Sequence, residues 1–247
     1  MADVLRGWYV VMNDLQGHWN VLGCDLKNEP SGIASWGDKS PATDWNSAAE
    51  EIGKHILGTF RDWQGLIFVE GIAWSRDFRG FVEDPIDFGD PDWNQRMVLS
   101  PHVYGPSVSN NTLFSAVDFP ANMPAEWTAR WGFLRDAGKT VVLGEWGGRY
   151  LDRDKIWQDA FAEYLLTNCF SNTFTWDLNP DSDDTGGLLR ADWLSPELEK
   201  LAVLARVQPT PSFLSRNNPA AEQVCLTTGA FANPTCATPP VATRLRS

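Results

Sequence analysis

Five apolar runs rich in β-branched residues recur every ~30–45 residues, and this rhythm restricts the fold more than any other feature of the chain. They are WNVLGCDL (19–26), GLIFVEG (65–71), RMVLSPHVY (96–104), TVVLGEW (140–146) and NTFTWDL (172–178). A run that is apolar without alternation is buried on both faces, which is the condition of a strand inside a parallel sheet. Parallel neighbours need long crossovers, and helix patterns fill the intervals. Residues 43–60 set Trp45, Ala48, Ala49, Ile52 and Ile56 on one face, with Thr43 or Asp44 as N-cap. Trp127, Trp131 and Leu134 form a second stripe closed by Gly138, and Trp157, Phe161, Tyr164 and Leu165 form a third. Ser195-Pro196-Glu197 predicts the start of a helix carrying Leu198, Leu201 and Leu204, and residues 3–16 predict a helix before the first strand. The class is α/β, and a parallel barrel or a doubly wound sheet satisfies the pattern equally. No G-x-G-x-x-G or G-x-x-x-x-G-K-[ST] string follows any run, so nothing supports a nucleotide-binding version.

The charge balance narrows the partners. Lys and Arg number 20 against 32 Asp and Glu, a net charge of −12, and the basic residues are scattered, which argues against nucleic acid and anionic membranes. No run approaches the ~18 apolar residues of a spanning helix, and the first residues lack the order of a secretory signal. The three histidines have no Cys or His neighbours at ligand spacing, so neither a metal site nor a cofactor is expected. Cys24 and Cys169 sit in apolar surroundings and read as buried thiols, whereas Cys225 and Cys236 lie at a spacing that admits a small disulfide loop. Asn110-Asn111-Thr112 is an N-glycosylation acceptor, a feature of secreted chains. From about residue 208 the chain is rich in Pro, Thr, Ala and Asn, so residues 1–207 are expected as the compact domain and 208–247 as an irregular tail or linker.

In parallel barrels the working residues stand at the C-terminal ends of the strands. The first run ends in Asn28-Glu29-Pro30, the third carries His102 and Tyr104, the fourth ends at Glu145-Trp146-Gly147-Gly148, and the fifth delivers Trp176. Two carboxylates, a His-Tyr pair and an aromatic face therefore share one rim. Glycoside cleavage needs this equipment: one carboxyl protonates the leaving oxygen while an ionised one meets the anomeric carbon, and an indole face supports the sugar ring. Asn28 is placed to hold a ring hydroxyl, and His102 and Tyr104 to position Glu145. With 13 tryptophans in the chain, most belong to the core, and only one beside convergent polar groups reads as a sugar platform.

The strings VLGCDLKNEP (21–30), LIFVEG (66–71), VLSPHVYGP (98–106), VLGEWGG (142–148) and WDLNPDSDDTGGLL (176–189), followed by Asp192-Trp193, resemble the family-five glycoside hydrolases, whose fold is a (β/α)8 TIM barrel. Within them the likeness is to cellulase-type endo-β-1,4-glucanases, and it spans residues 19 to about 207. The resemblance implies Glu29 as acid/base after the family's fourth strand, Glu145 as nucleophile after the seventh, and Asn28, His102, Tyr104 and Trp176 as binding residues around the reacting sugar. It implies a retaining reaction on β-glucan or a related plant-type polysaccharide, with the two carboxyl groups ~5–5.5 Å apart, and an extracellular location. It also implies a partial barrel whose first three βα units would lie upstream of Met1, without the Arg and His those units contribute in relatives, and with open edges that favour self-association. Lys27 stands where relatives often carry His, and Leu178 replaces a second aromatic residue. A non-catalytic β-glucan-binding remnant is the alternative, against which the presence of both glutamates speaks.

Overall fold

The computed structural model describes residues 1–208 and, as backbone strands, residues 213–216, 224–227 and 244–245. A helix over Ala2–Leu15 leads into β1 (Gly23–Asp25), and the Trp45–Thr59 helix carries the chain to β2 (Leu66–Val69). β3 (Met97–Leu99) and β4 (His102–Tyr104) follow, then β5 (Leu143–Gly147) and β6 (Thr173–Thr175), with the Asp152–Thr167 helix between the last two. Every pairing among these six strands is parallel, in the orders β1-β2-β3 and β4-β5-β6.

The run at 96–104, expected as one strand, is divided at Ser100-Pro101, because proline has no N–H to give to a ladder. The division does not open the wall. Ser100 N–H still donates to Val69 O at 2.9 Å, Leu99 bridges Val141, and Gly144 N–H donates to Pro101 O at 2.9 Å. β3 and β4 thus hand the sheet from β2 to β5, giving a five-stranded parallel arc of a (β/α)8 barrel. Among the described residues β1 and β6 each pair on one side only. Farther on, Phe213–Arg216, Val224–Thr227 and Arg244–Leu245 pair antiparallel as β7, β8 and β9.

Behind the arc the predicted stripes close on one another. Trp127, Trp131, Trp146, Trp157 and Phe161 are each at most 3% exposed. Trp157 stacks on Phe161 at 4.9 Å, Trp127 meets Trp157 edge-on at 5.7 Å, and Trp146 of β5 packs on Phe161 at 5.5 Å. The Met123–Trp127 helix continues through a π-helical turn at Thr128–Gly132 into Phe133–Asp136, and Gly138 ends it with φ 72°, while Lys139 N–H donates to Leu134 O at 2.9 Å.

Two expectations are corrected. The last helix runs over Leu198–Val207 rather than from Ser195, because Pro196 bridges Leu189 and Glu197 N–H donates to Leu188 O at 2.8 Å. That extended pairing overrides proline's preference for the first helical turn, and the buried face is Val203 and Val207, with Leu198 and Leu201 exposed. Cys169, read as a buried thiol, is disulfide-bonded. Cys24 on β1 is free, and burial pushes its thiol up to about 12, which leaves it inert as a nucleophile. The Cys225–Cys236 pairing lies outside the described residues.

Trp157 is fully buried and stacks on Phe161, the ring that packs on Trp146 of the strand carrying Glu145, so Trp157→Ala is expected to cost ~3–5 kcal/mol. The check is a lowered urea midpoint at unchanged m-value; a loss below ~1 kcal/mol would contradict this packing.

Candidate active site

Parallel register and period-two alternation bring the candidate residues together. His102 is the register partner of Glu145, and Tyr104 that of Gly147. In a strand, residues i and i+2 share a face, so His102 and Tyr104 look to one side while Val103, 6% exposed, turns into the core. On β5 the ladder to β6 slips between Leu143 and Trp146, a bulge that contains Gly144 and Glu145. Trp146 goes into the aromatic core and Glu145 comes forward. Glu29 sits four residues past β1 with φ 48°, a left-handed conformation that a non-glycine residue holds only when its surroundings enforce it.

His102 Nδ1 lies 3.1 Å from Glu29 Oε1 and 3.5 Å from Glu145 Oε2, and Tyr104 Oη donates to Glu145 Oε2 at 2.5 Å. The other ring nitrogen, Nε2, lies 3.3 Å from Glu70 Oε1, and Glu70 Oε2 accepts the backbone N–H of Glu29 at 2.7 Å. The side chains of His102 and Glu70 are 3% and 2% exposed, whereas those of Glu29 and Glu145 are 25% and 18% exposed. Two carboxyl groups therefore reach solvent, and a buried imidazole and a buried carboxyl support them.

The electrostatics follow from this crowding. Burial alone would lower the His102 pKa, but the hydrogen bond to Glu29 and the fields of Glu70 and Glu145 outweigh it and hold the imidazole above its ordinary value. Burial, and then the negative charge of Asp25, push Glu70 up to about 8. Burial and the bond to Glu145 push the Tyr104 phenol upward, which keeps it a proton donor to that carboxylate.

Asn28 is exposed beside Glu29, and its carbonyl accepts from Lys27 Nζ. Trp176, 47% exposed, follows β6 and is tied to β5 by its N–H to Trp146 O at 2.9 Å. Glu29, His102, Tyr104 and Glu145 are thus linked by direct contacts, with Asn28 and Trp176 on adjoining stretches of the same rim. The donor atoms of Glu29, His102 and Glu145 all lie within 4.8 Å of one another, close enough to hold a metal ion. Hydrogen bonding accounts for the cluster without one, since each ring nitrogen of His102 already faces a carboxylate and Tyr104 occupies Glu145.

Two residues escape the sequence reading. Glu70 ends the second apolar run as Glu29 and Glu145 follow the first and fourth, so the rim rule that found those two reaches it as well. Trp74 is 51% exposed within three consecutive left-handed residues, Ala73 to Ser75. Ser75 Oγ, which accepts from Gly71 N–H at 3.1 Å and donates to Ser100 O at 2.6 Å, holds that turn, and Trp74 N–H donates to Pro30 O at 3.1 Å, next to Glu29.

The chain is similar to known proteins in both sequence and fold. The family model "Cellulase (glycosyl hydrolase family 5)" matches residues 3–182. The major extracellular endoglucanase of Xanthomonas campestris pv. campestris is 40% identical over 199 residues, covering 74% of this chain and 40% of that protein. An endoglucanase of Paenibacillus polymyxa is 36% identical over 234 residues, 88% of this chain and 57% of that one. The endocellulase of Pyrococcus horikoshii, solved with cellotetraose, superposes with a TM-score of 0.77 at 36% identity, over 83% of this chain and 62% of that chain. The chain spans about half the length of the curated relatives it matches.

A buried carboxyl whose folded pKa exceeds its unfolded one contributes stability at acid pH, and that contribution is lost as pH rises through the folded value. For Glu70 the window runs from its ordinary 4.5 to about 8, and the raised pKa of His102 acts in the same direction above 6.5. Urea unfolding is expected to show stability falling from pH 5 to pH 8, by at most ~1.4 kcal/mol per pH unit from Glu70. Glu70→Gln should flatten the profile, and an equal slope in that variant would contradict the assignment.

Proposed function

The chain belongs to the cellulases of glycosyl hydrolase family 5, and from that premise we propose that residues 1–207 form a catalytic unit that cleaves β-1,4-glucan with retention of configuration. One observation carries the reading: Glu29 and Glu145 present oxygens within 4.8 Å of each other, with His102 between them. Carboxyls that flank one imidazole nitrogen suit the closer spacing of a retaining pair, ~5–5.5 Å between the groups, rather than the ~6.5–9.5 Å of an inverting pair that admits a water.

In the first step Glu145 attacks the anomeric carbon as the glycosidic C–O bond breaks, and Glu29 passes its proton to the departing oxygen. The product is a glycosyl ester on Glu145 and a free sugar hydroxyl. In the second step water attacks the same carbon, its proton goes to Glu29, and the ester bond to Glu145 breaks. Tyr104 engages Oε2 of Glu145, so Oε1 is the oxygen left to attack. The same hydroxyl holds Oε2 while charge leaves and returns to the carboxylate. Trp176 supplies the apolar floor beneath the reacting sugar, Asn28 a hydrogen bond to its hydroxyls, and Trp74, beside the loop of Glu29, an aromatic face on the leaving side.

The substrate class is supported by the relative solved with cellotetraose and by the acidic surface, which suits a neutral polymer. An extracellular location is supported by the similarity to the major extracellular endoglucanase of Xanthomonas.

Glu29→Gln and Glu145→Gln keep shape and remove the ionisable group. Each is expected to lower turnover of carboxymethyl-cellulose by at least ~10²–10⁴-fold while cello-oligosaccharide binding persists. A folded chain that binds cello-oligosaccharides and turns none over would overturn the hydrolase reading in favour of a β-glucan binder.

A further inference from the structure

Glu70 takes no part in the bond-breaking steps above, yet it is the buried carboxyl on which both arms of the site rest. It directly follows β2, and its two oxygens serve the loop after β1 and the strand β4. Oε2 accepts the N–H of Glu29 at 2.7 Å and so pins the left-handed turn that aims that side chain. Oε1 lies 3.3 Å from Nε2 of His102, whose Nδ1 faces Glu29 and Glu145. We propose that Glu70 is a positioning residue that keeps the Nδ1–H of His102 directed at Glu29 and holds the backbone turn from which Glu29 acts.

The proton count supports this wherever the proton shared by Oε1 and Nε2 sits. If it sits on Nε2, an ionised Glu70 faces an imidazolium that donates from both nitrogens. If Glu70 carries the proton, it donates to a bare Nε2, and the one remaining N–H of the neutral ring is at Nδ1. Moving a proton between Oε1 and Nε2 leaves the donor facing Glu29 unchanged. The charged and titratable groups around the pair are Asp25 on β1, Glu29 on the loop after it, and Glu145 on β5. These three are acidic; Tyr104 bonds Glu145, and the cation Arg76, which lines the cavity beside His102, acts on Glu29, so among the described residues His102 is the cationic partner in contact with Glu70. Ser75, behind the same rim, is committed to Ser100 O and Gly71 N–H.

The consequence for turnover rests on the role proposed for Glu29, but the imidazole can be observed without turnover. The test is ¹⁵N NMR of the three histidines of the full chain across pH 5–8, with His18 and His55 as internal references. In the unaltered protein His102 should carry a proton on Nδ1 throughout. Glu70→Gln can accept from Glu29 N–H and donate to Nε2, so it should keep the Nδ1–H form while His102 titrates at least about one pH unit lower. Glu70→Leu should lose the Nδ1–H preference and shift the Glu29 amide upfield. An unchanged His102 titration in Glu70→Gln overturns the proposal, even if Glu70→Leu fails to fold, and so does an unchanged tautomer in a folded Glu70→Leu. In turnover assays Glu70→Leu should lower kcat ~10–100-fold with little change in KM, and Glu70→Gln should restore most of it. Absence of turnover in the unaltered chain would defeat the hydrolase reading and leave the imidazole result standing.

Discussion

One imidazole shared among three carboxyl groups is the interaction on which the site depends. His102 meets Glu29, Glu145 and Glu70, which the chain delivers from the ends of three other strands. Three acidic groups this close repel one another, and burying any of them unpaired would be costly. A donor on each side of a flat ring offsets that repulsion with two directed contacts. The arrangement tolerates little displacement, because a slip of one residue in any strand turns its side chains to the opposite face.

Much of the local sequence around the site follows from seating that ring. A Cβ at position 144 would collide with Ser100 Oγ and stand 2.9 Å from His102 Nε2, so glycine before Glu145 is what lets β5 lie against β4 at this point. The same stretch bulges, which sends Trp146 into the aromatic core and Glu145 toward the opening. Behind it Trp157 and Phe161 form a stiff backing whose rings meet Trp127 and Trp146. The proline at 101 divides a strand yet leaves its carbonyl to receive Gly144 N–H, so the wall stays continuous where the catalytic candidates stand.

The parts of this design that rest on periodicity were legible in the sequence. Unalternating apolar runs predicted parallel strands, the aromatic stripes predicted buried helix faces, and the strand-end rule selected Glu29, His102, Tyr104 and Glu145, which meet in space. What escaped depends on contacts between distant segments. Glu70 lies within reach of the same strand-end rule, but its burial comes from neighbours on β1 and β4, so its own surroundings in the chain do not set it apart from an ordinary charged residue after a strand. The Ser195-Pro196 start signal lost to pairing with Leu188 and Leu189, and apolarity around Cys169 concealed a disulfide. The left-handed turn that exposes Trp74 contains no glycine between Ile72 and Arg76, so no local signal announces it.

In the proposed reaction Glu145 receives the sugar while Glu29 handles the proton. The most direct measurement is mass spectrometry of peptides from the full chain after incubation with a 2-deoxy-2-fluoro-β-cellobioside bearing a good leaving group, which slows the second displacement and lets the ester accumulate. One added fluoroglycosyl mass is expected, located on Glu145. A label on Glu29 or on another residue, or none from a folded chain that releases the leaving group, would overturn that assignment of roles.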